Sequence, residues 1–282
     1  MAREENVKVF EDTEALCRSN QRLAESIQHS VAAQKLILET DACREEDKNR
    51  YADTAKVVVS KKRSFEAARG YAGQKVAVHN FASASNPGGG VVTGASAQEE
   101  CLCRCSTLYF CLKTPFMQKH FYQAHKDAHD PLHNDDIIYT PDVLVFKTDT
   151  GKPERMQEAD WYSVDVITCA APNLRAKPSN RYNSGDGNRA ASVKSKDLLA
   201  MHEKRLRRIL DTALAEGAET VILGAFGCGA FENSPEIVAM AAKNVLGDYL
   251  HAFRNIEYAV YCSPKDERNF QVFARVLKPY YK

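Results

Sequence analysis

VAVHNFASASNPGGGVVTGASAQEECLCRCSTLY, residues Val76 to Tyr109, decides how this chain is read. Val76-Ala77-Val78 is a short apolar run of the kind that forms a buried strand. Asn80 to Gly94 is rich in Gly, Ser, Asn and Pro, which marks a loop. Ser96-Ala97-Gln98-Glu99 then has the spacing of a capping box, which predicts a helix opening there. A Gly-rich loop between a strand end and a helix N-terminus is the layout of a phosphate cradle. Gly88, Gly89 and Gly90 carry no Cβ, so backbone approaches a ligand closely, and the free N–H groups of the helix attract anions. Seven residues after the triplet come Gln98 and two adjacent carboxylates, Glu99 and Glu100.

The alternation continues on both sides of this stretch. Strands are predicted over residues 55–59, 75–78, 164–169, 220–223 and 256–261, and helices over 64–71, 196–216 and 234–250. Strands separated by helices of this length imply a sheet covered on both faces, with ligands in the crevice beyond the strand ends. Residues from about Glu11 to Glu39 are helical in composition, with Leu16, Leu23 and Ile27 at helical spacing. We expect two parts, a helical extension over residues 1–50 packed on a catalytic domain over residues 51–282. Asn173 to Ser195 is polar, with Pro178, Gly185 and Gly187, and is expected to be a long mobile loop.

A second glycine motif, Gly227-Cys228-Gly229-Ala230-Phe231, follows the predicted strand 220–223. It precedes Ser234-Pro235-Glu236, where Ser caps a helix and Pro occupies its first turn. This is another anion site by geometry, although tight turns use the same residues. Its exit, Glu232-Asn233, is expected to tolerate side-chain variation.

The triplet, its seven-residue spacer and Gln98-Glu99-Glu100 resemble the signature of microbial-type poly(ADP-ribose) glycohydrolases, whose fold is an elaborated macrodomain. Asn80-Phe81-Ala82-Ser83-Ala84, Leu102-Cys103-Arg104 and Ser106-Thr107-Leu108-Tyr109 agree as flanks, and Tyr139 to Val143, Cys169 to Asn173 and Gly224 to Phe231 extend the match. The resemblance implies an α/β, macrodomain-like three-layer sandwich around a mixed, mostly parallel sheet. It implies an enzyme that hydrolyses ribose–ribose bonds, with Glu100 protonating the leaving 2′-oxygen and Glu99 orienting the substrate ribose. By the same resemblance Asn86, Gly88, Gly89, Gly90 and Gln98 bind substrate, although Asn before Pro is also a routine turn former. Gly227, Cys228, Gly229 and Ala230 would donate backbone N–H groups to a diphosphate, and Phe231 would stack on the terminal ribose. The scheme requires no metal and no cofactor. Two rivals remain, a non-catalytic ADP-ribose reader and a hydrolase of another ADP-ribose linkage, such as a mono-ADP-ribosylated side chain. Two acids at this spacing argue against the reader alone.

Adjacent helical residues point about 100° apart, so the two carboxylates should have different tasks. A helix N-terminus favours the charged carboxylate, whereas a general acid must hold its proton. A bound diphosphate, the neighbouring Glu99 and partial burial are expected to oppose ionisation of Glu100.

Composition sets the frame. Hydrophobic content of 44% and charged content of 27% are ordinary for a globular protein, and a net charge of +1 gives no global nucleic-acid signal. No apolar run approaches the roughly 20 residues of a membrane span. The expected partners are poly(ADP-ribose), ADP-ribose and ADP-ribosylated proteins, with no membrane and no direct nucleic-acid contact, for an intracellular, cytoplasmic monomer, or a nuclear one in a eukaryote. Nine cysteines, an odd count, favour reduced thiols. Cys101, Cys103 and Cys105 cannot converge on one ion from a helix, and His120, His125, His129 and His133 are expected to be solvated. Lys61-Lys62-Arg63 is read as the flank of a strand.

Overall fold

Seven strands, β1 (Lys35–Ile37), β2 (Lys56–Ser60), β3 (Val76–Ala82), β4 (Ile137–Val145), β5 (Tyr162–Ala170), β6 (Thr220–Leu223) and β7 (Asn255–Ala259), form one sheet. Their order is β1-β4-β5-β3-β6-β7-β2. Neighbours from β5 to β2 are parallel, while β4 runs antiparallel to β5, and β1 to β4. The structure, a computed structural model, describes residues 2–42, 46–180, 185–263 and 265–281.

Alternating side chains show why the sheet is covered twice. Ala77, Ile167, Cys169, Val221 and Leu223 enter one core with α8 (Ser195–Ala215), α9 (Pro235–Leu246) and α10 (Arg268–Leu277). Val76, Val78, Val164, Val166 and Ile222 enter the opposite core. There they meet Phe10 of α1 (Arg3–Ser19), Phe65 of α3 (Ser64–Arg69), Leu102 of α4 (Gln98–Cys105) and Leu108 of α5 (Leu108–Leu112). Strands buried on both faces read as continuous apolar runs, so these were visible in sequence. The α/β three-layer architecture expected from the sequence is the one observed.

The N-terminal reading needs correction. The stretch expected to be helical over 11–39 begins earlier, at Arg3, and forms two helices, α1 and α2 (Gln21–Ala33), separated at Asn20, whose side chain accepts from Leu23 N at 3.1 Å. Residues 35–37 then leave the helical path and pair with the edge of β4, Lys35 opposite Tyr139. β4 itself was not among the expected strands, because Pro141-Asp142 interrupts its apolar pattern. The register shifts between Thr140 and Val143, a bulge that accommodates Pro141, and Asp142 adopts a φ of 52° there. The bulge is also where α2 docks: Ser30 donates to Asp142 O at 3.2 Å, and Leu23 is fully buried against Leu144 and Phe146. α6 (Pro115–Met117), α7 (Ala124–Ala128) and α10 received no expectation.

The parallel strands β5, β3, β6, β7 and β2 all end on the same side of the sheet. The Gly-rich loop leaves β3, and the second glycine motif leaves β6, its immediate neighbour. The two loops are therefore side by side at the carboxyl end of the sheet.

Candidate active site

The first loop turns as soon as β3 ends. Asn86 accepts from Gly89 N at 2.9 Å, and its own N–H donates to Ser83 Oγ at 3.1 Å. Gly89 has a φ of +57°, and a Cβ there would lie 2.5 Å from Glu100 Oε1. Only glycine leaves room for the acid.

α4 opens at Gln98 without the capping box expected from Ser96 and Glu99, and Ala97 stands at the N-cap with no side-chain bond. The Glu99 carboxylate instead turns inward, accepting from Ser83 N at 2.8 Å and Asn80 Nδ2 at 3.2 Å. Buried loop N–H groups outcompete an exposed cap, because leaving them unpaired costs about 1–3 kcal/mol each. Gln98 braces β3: its amide accepts from Phe81 N at 2.9 Å and donates to His79 O at 2.8 Å. Glu100 Oε1 accepts from Gly90 N at 2.9 Å. Its other oxygen, Oε2, is buried and has no partner. Buried Arg104, farther along α4, reaches back to Ala95 O at 2.5 Å and ties the loop to the helix it feeds.

Burial raises the Glu99 carboxyl to about 8, against the bond from Ser83 and helped by Glu100. A first-turn dipole is worth about 0.3–1 kcal/mol, less than one pKa unit at about 1.4 kcal/mol, so it does not offset burial. The structure thus places a raised carboxyl at Glu99. Asn80 Oδ1 is buried without a partner, so turning that amide would offer a protonated Glu99 an acceptor.

The second loop hangs from Asn233. Its Nδ2 donates to Pro172 O at 2.7 Å, Gly227 O at 3.2 Å and Phe231 O at 3.3 Å, while Oδ1 meets His202 Nε2 at 2.9 Å. Gly227 has a φ of +76°, and a Cβ there would lie 2.6 Å from Asn233 Nδ2. The loop exit, expected to tolerate variation, is therefore its clamp: Asn233 is only 2% exposed. Burial drops His202 to about 4, so the imidazole facing Asn233 is neutral.

Between the loops lies a cleft of about 770 Å³. Gly89, Gly90, Gln98, Glu99, Glu100, Gly227, Gly229, Ala230 and Phe231 line it. Asn86, Gly88 and Cys228 do not: Gly88 packs on Tyr109, and the Cys228 thiol faces the core, donating to Phe226 O at 3.8 Å. Residues 3–148 match the family model for the microbial-type PARG catalytic domain. This chain belongs to the microbial-type poly(ADP-ribose) glycohydrolases.

Solved glycohydrolases of this kind superpose over nearly the whole chain. The poly(ADP-ribose) glycohydrolase of Thermomonospora curvata matches with a TM-score of 0.82 at 28% identity, over 97% of this chain and 99% of that one. Its complex with the inhibitor ADP-HPD matches at 0.79 and 28% identity, over 96% and 99%. The Deinococcus radiodurans glycohydrolase in complex with ADP-ribose matches at 0.73 and 31% identity, over 90% and 97%. No match is found among curated proteins.

Sequence reasoning missed several walls of the glycohydrolase cleft. Arg63 lies 3.9 Å over the Tyr261 ring, joining the ends of β2 and β7. Asp149 sits beside them, 5% exposed, with Oδ1 lacking a hydrogen-bond partner and its carboxyl raised to about 6 by burial against the pull of Arg63. Arg3 and Arg175 also line the cleft. The run Lys61-Lys62-Arg63 and the exposed aromatic after β7 were the available signals.

The remaining candidates are structural. Cys101, Cys103 and Cys105 are buried free thiols, and burial raises all three. Among the described residues no group of three His, Cys, Asp or Glu side chains gathers to hold a metal ion. His120 and His129 are exposed, but His125 and His133 are buried, contrary to expectation. Each anchors through Nδ1 on a carbonyl, Phe121 O at 2.8 Å and Ala171 O at 2.7 Å. Of the loop expected over 173–195, residues 181–184 lie outside the described residues. Its beginning is pinned by buried Asn173, which donates to Asp186 Oδ2 at 2.7 Å and accepts from Arg175 N at 3.3 Å. No helix among the described residues is long and apolar enough to cross a membrane.

Proposed function

We propose that this chain hydrolyses the ribose–ribose O-glycosidic bond of poly(ADP-ribose) and releases ADP-ribose, using Glu100 as general acid and then as base. The observation that carries the reading is Glu100 itself: one oxygen fixed by Gly90 N, the other buried, unpartnered and set in the cleft wall. A cleft of about 770 Å³ suits one small ligand, since such sites span roughly 300–1,000 Å³. The glycine loops on either side supply backbone for a diphosphate, and Phe231 offers a ring for the distal ribose. Solved relatives bound to ADP-ribose and to ADP-HPD support the same occupant.

In this reading Glu100 Oε2 gives its proton to the 2′-oxygen of the departing ribose as the C1″–O bond breaks. The distal ribose becomes oxocarbenium-like, stabilised by the nearby diphosphate. The Glu100 carboxylate then takes a proton from water as that water bonds to C1″, which returns the enzyme to its starting state. Glu99, held by Ser83 and Asn80, positions the distal ribose.

The test is ADP-ribose release from poly(ADP-ribose) by the wild type and by Glu100→Gln, with ADP-ribose binding measured on both. We expect binding within a few-fold for both and turnover lowered by at least about 10²-fold in the variant. Binding without release by either protein would favour a reader. Release only from mono-ADP-ribosylated protein would favour the other linkage.

A further inference from the structure

Behind the second loop, three polar side chains meet in an otherwise apolar core. β3 and β6 pair through Val78 and Ile222, and β6 and β7 through Leu223 and Tyr258, so His79 and Tyr258 flank Leu223 on one face of the sheet. Both are almost wholly buried, at 3% and 2% exposed. His79 Nε2 and Tyr258 Oη have no hydrogen-bond partner among the described residues. The two side chains line a small cavity of about 20 Å³, together with His202 and Leu206 of α8, Val238 of α9 and Phe226 of the second loop. An unpaired hydroxyl in such a place is costly, and a phenylalanine would fill the same space without one.

The third group is His202, and its tautomer follows from Asn233. Nδ2 of Asn233 faces three carbonyls and donates to them, so Oδ1 meets His202 as an acceptor and His202 Nε2 carries the proton. Burial keeps this ring neutral, which leaves a lone pair on Nδ1. A buried water molecule needs roughly 10–15 Å³ and two to four polar partners. The cavity supplies the room, and Tyr258, His79 and His202 supply the partners.

We propose that this cavity is a binding site for one ordered water, which joins Tyr258 Oη, His79 Nε2 and His202 Nδ1 and so supports the second loop from beneath. The water accepts from Tyr258 and donates to His202. Toward His79 it takes whichever role the tautomer leaves open, because water both donates and accepts. Its influence on the cleft runs through His202 to Asn233, and from Asn233 to the carbonyls of Gly227 and Phe231. His79 brings the first loop into the same network, since its carbonyl accepts from Gln98 Nε2 at 2.8 Å. The effect on ligand binding rests on the glycohydrolase reading above and deepens it.

The experiment is a crystal structure of the wild type at a resolution that places ordered water, with Tyr258→Phe compared in urea unfolding, ADP-ribose binding and ADP-ribose release from poly(ADP-ribose). We expect a single water peak within hydrogen-bond distance of the three atoms. The variant removes one oxygen and leaves the packing, so the sign of its effect decides. Loss of a water-bonded hydroxyl raises the unfolding equilibrium constant by about 3–10-fold, whereas loss of an unpaired one leaves it unchanged or lowers it. ADP-ribose affinity is expected to fall about 2–4-fold with kcat unchanged, the size of effect carried between members of one hydrogen-bond network. A dry cavity, or a variant at least as stable as the wild type, would overturn the water. Unchanged ADP-ribose affinity would overturn its support of the loop. Absence of release by the wild type would overturn the glycohydrolase reading and leave the water standing, because the crystal structure and the unfolding curve do not depend on turnover.

Discussion

Glu99 and Glu100 are neighbours in sequence with opposite surroundings. Glu99 is swallowed by the turn after β3, while Glu100 keeps one oxygen unpartnered at the cleft. That their side chains point apart was legible from helical geometry, but the raised carboxyl of Glu99 was not, because its burial is decided by the turn around Ser83 and Asn80 and not by helix position. The consequence is a pH dependence of stability. The folded value of Glu99, about 8, lies above its ordinary 4.5, so the folded protein holds a proton that the unfolded chain has released. Its contribution is full below 4.5 and is lost as pH rises through 8. Asp149, raised to about 6, acts with the same sign but is largely finished by there. We therefore expect wild-type stability to fall by about 2 kcal/mol more than that of Glu99→Gln between pH 6 and pH 8. Urea unfolding at several pH values measures it, and equal slopes for the two proteins would refute it.

At the scale of elements, the strands of the sheet centre were legible and its edges were not. β3, β5 and β6 are buried on both faces, so their apolar runs announce them. β4 is split by Pro141-Asp142, and β1 is three residues that take strand form only because β4 offers an edge. The second loop shows the same limit. Its glycines were visible, but its clamp was not, because Asn233 gains its importance from Pro172 and His202, which lie elsewhere in the chain. Asn233→Ala would leave three carbonyls and an imidazole without this partner. We expect a loss of about 1–3 kcal/mol in unfolding free energy, together with weaker ADP-ribose binding, as calorimetry on the same sample would show. Retained affinity despite the lost stability would mean that the loop keeps its shape without the clamp.

At the scale of the whole molecule, the sequence made the first fifty residues look like an accessory, since no motif falls there. The structure binds α1 into the core beside the acids. Phe10 is 2% exposed and meets Tyr109 edge-on at 4.9 Å. Lys147, itself buried, donates to Val9 O at 2.7 Å and Thr13 Oγ1 at 2.7 Å, and pairs with Asp12 at 2.9 Å. Phe10→Ala should cost about 3–5 kcal/mol, as a large aromatic lost from a packed core does. A single cooperative melt shifted down as a unit is expected. An unchanged midpoint, or a separate early transition for the helix, would show α1 to be an independent appendage. The walls supplied by Arg63, Asp149 and Tyr261 escaped sequence reading for a related reason: Arg63 and Tyr261 meet only because the parallel strands β2 and β7 end side by side, and Asp149 joins them from the segment after antiparallel β4.

The strand order has a further meaning while the chain is being made. β3, which launches the loop and the acids, pairs only with β5 and β6, both of which are synthesised after it. Chains fold as they emerge from the N-terminus onward, so a partly translated molecule carries its acids with no neighbouring strand to seat them and no facing loop. Hydrolytic competence should arrive abruptly on the ribosome, only once β6 and the segment through Asn233 have cleared the exit tunnel.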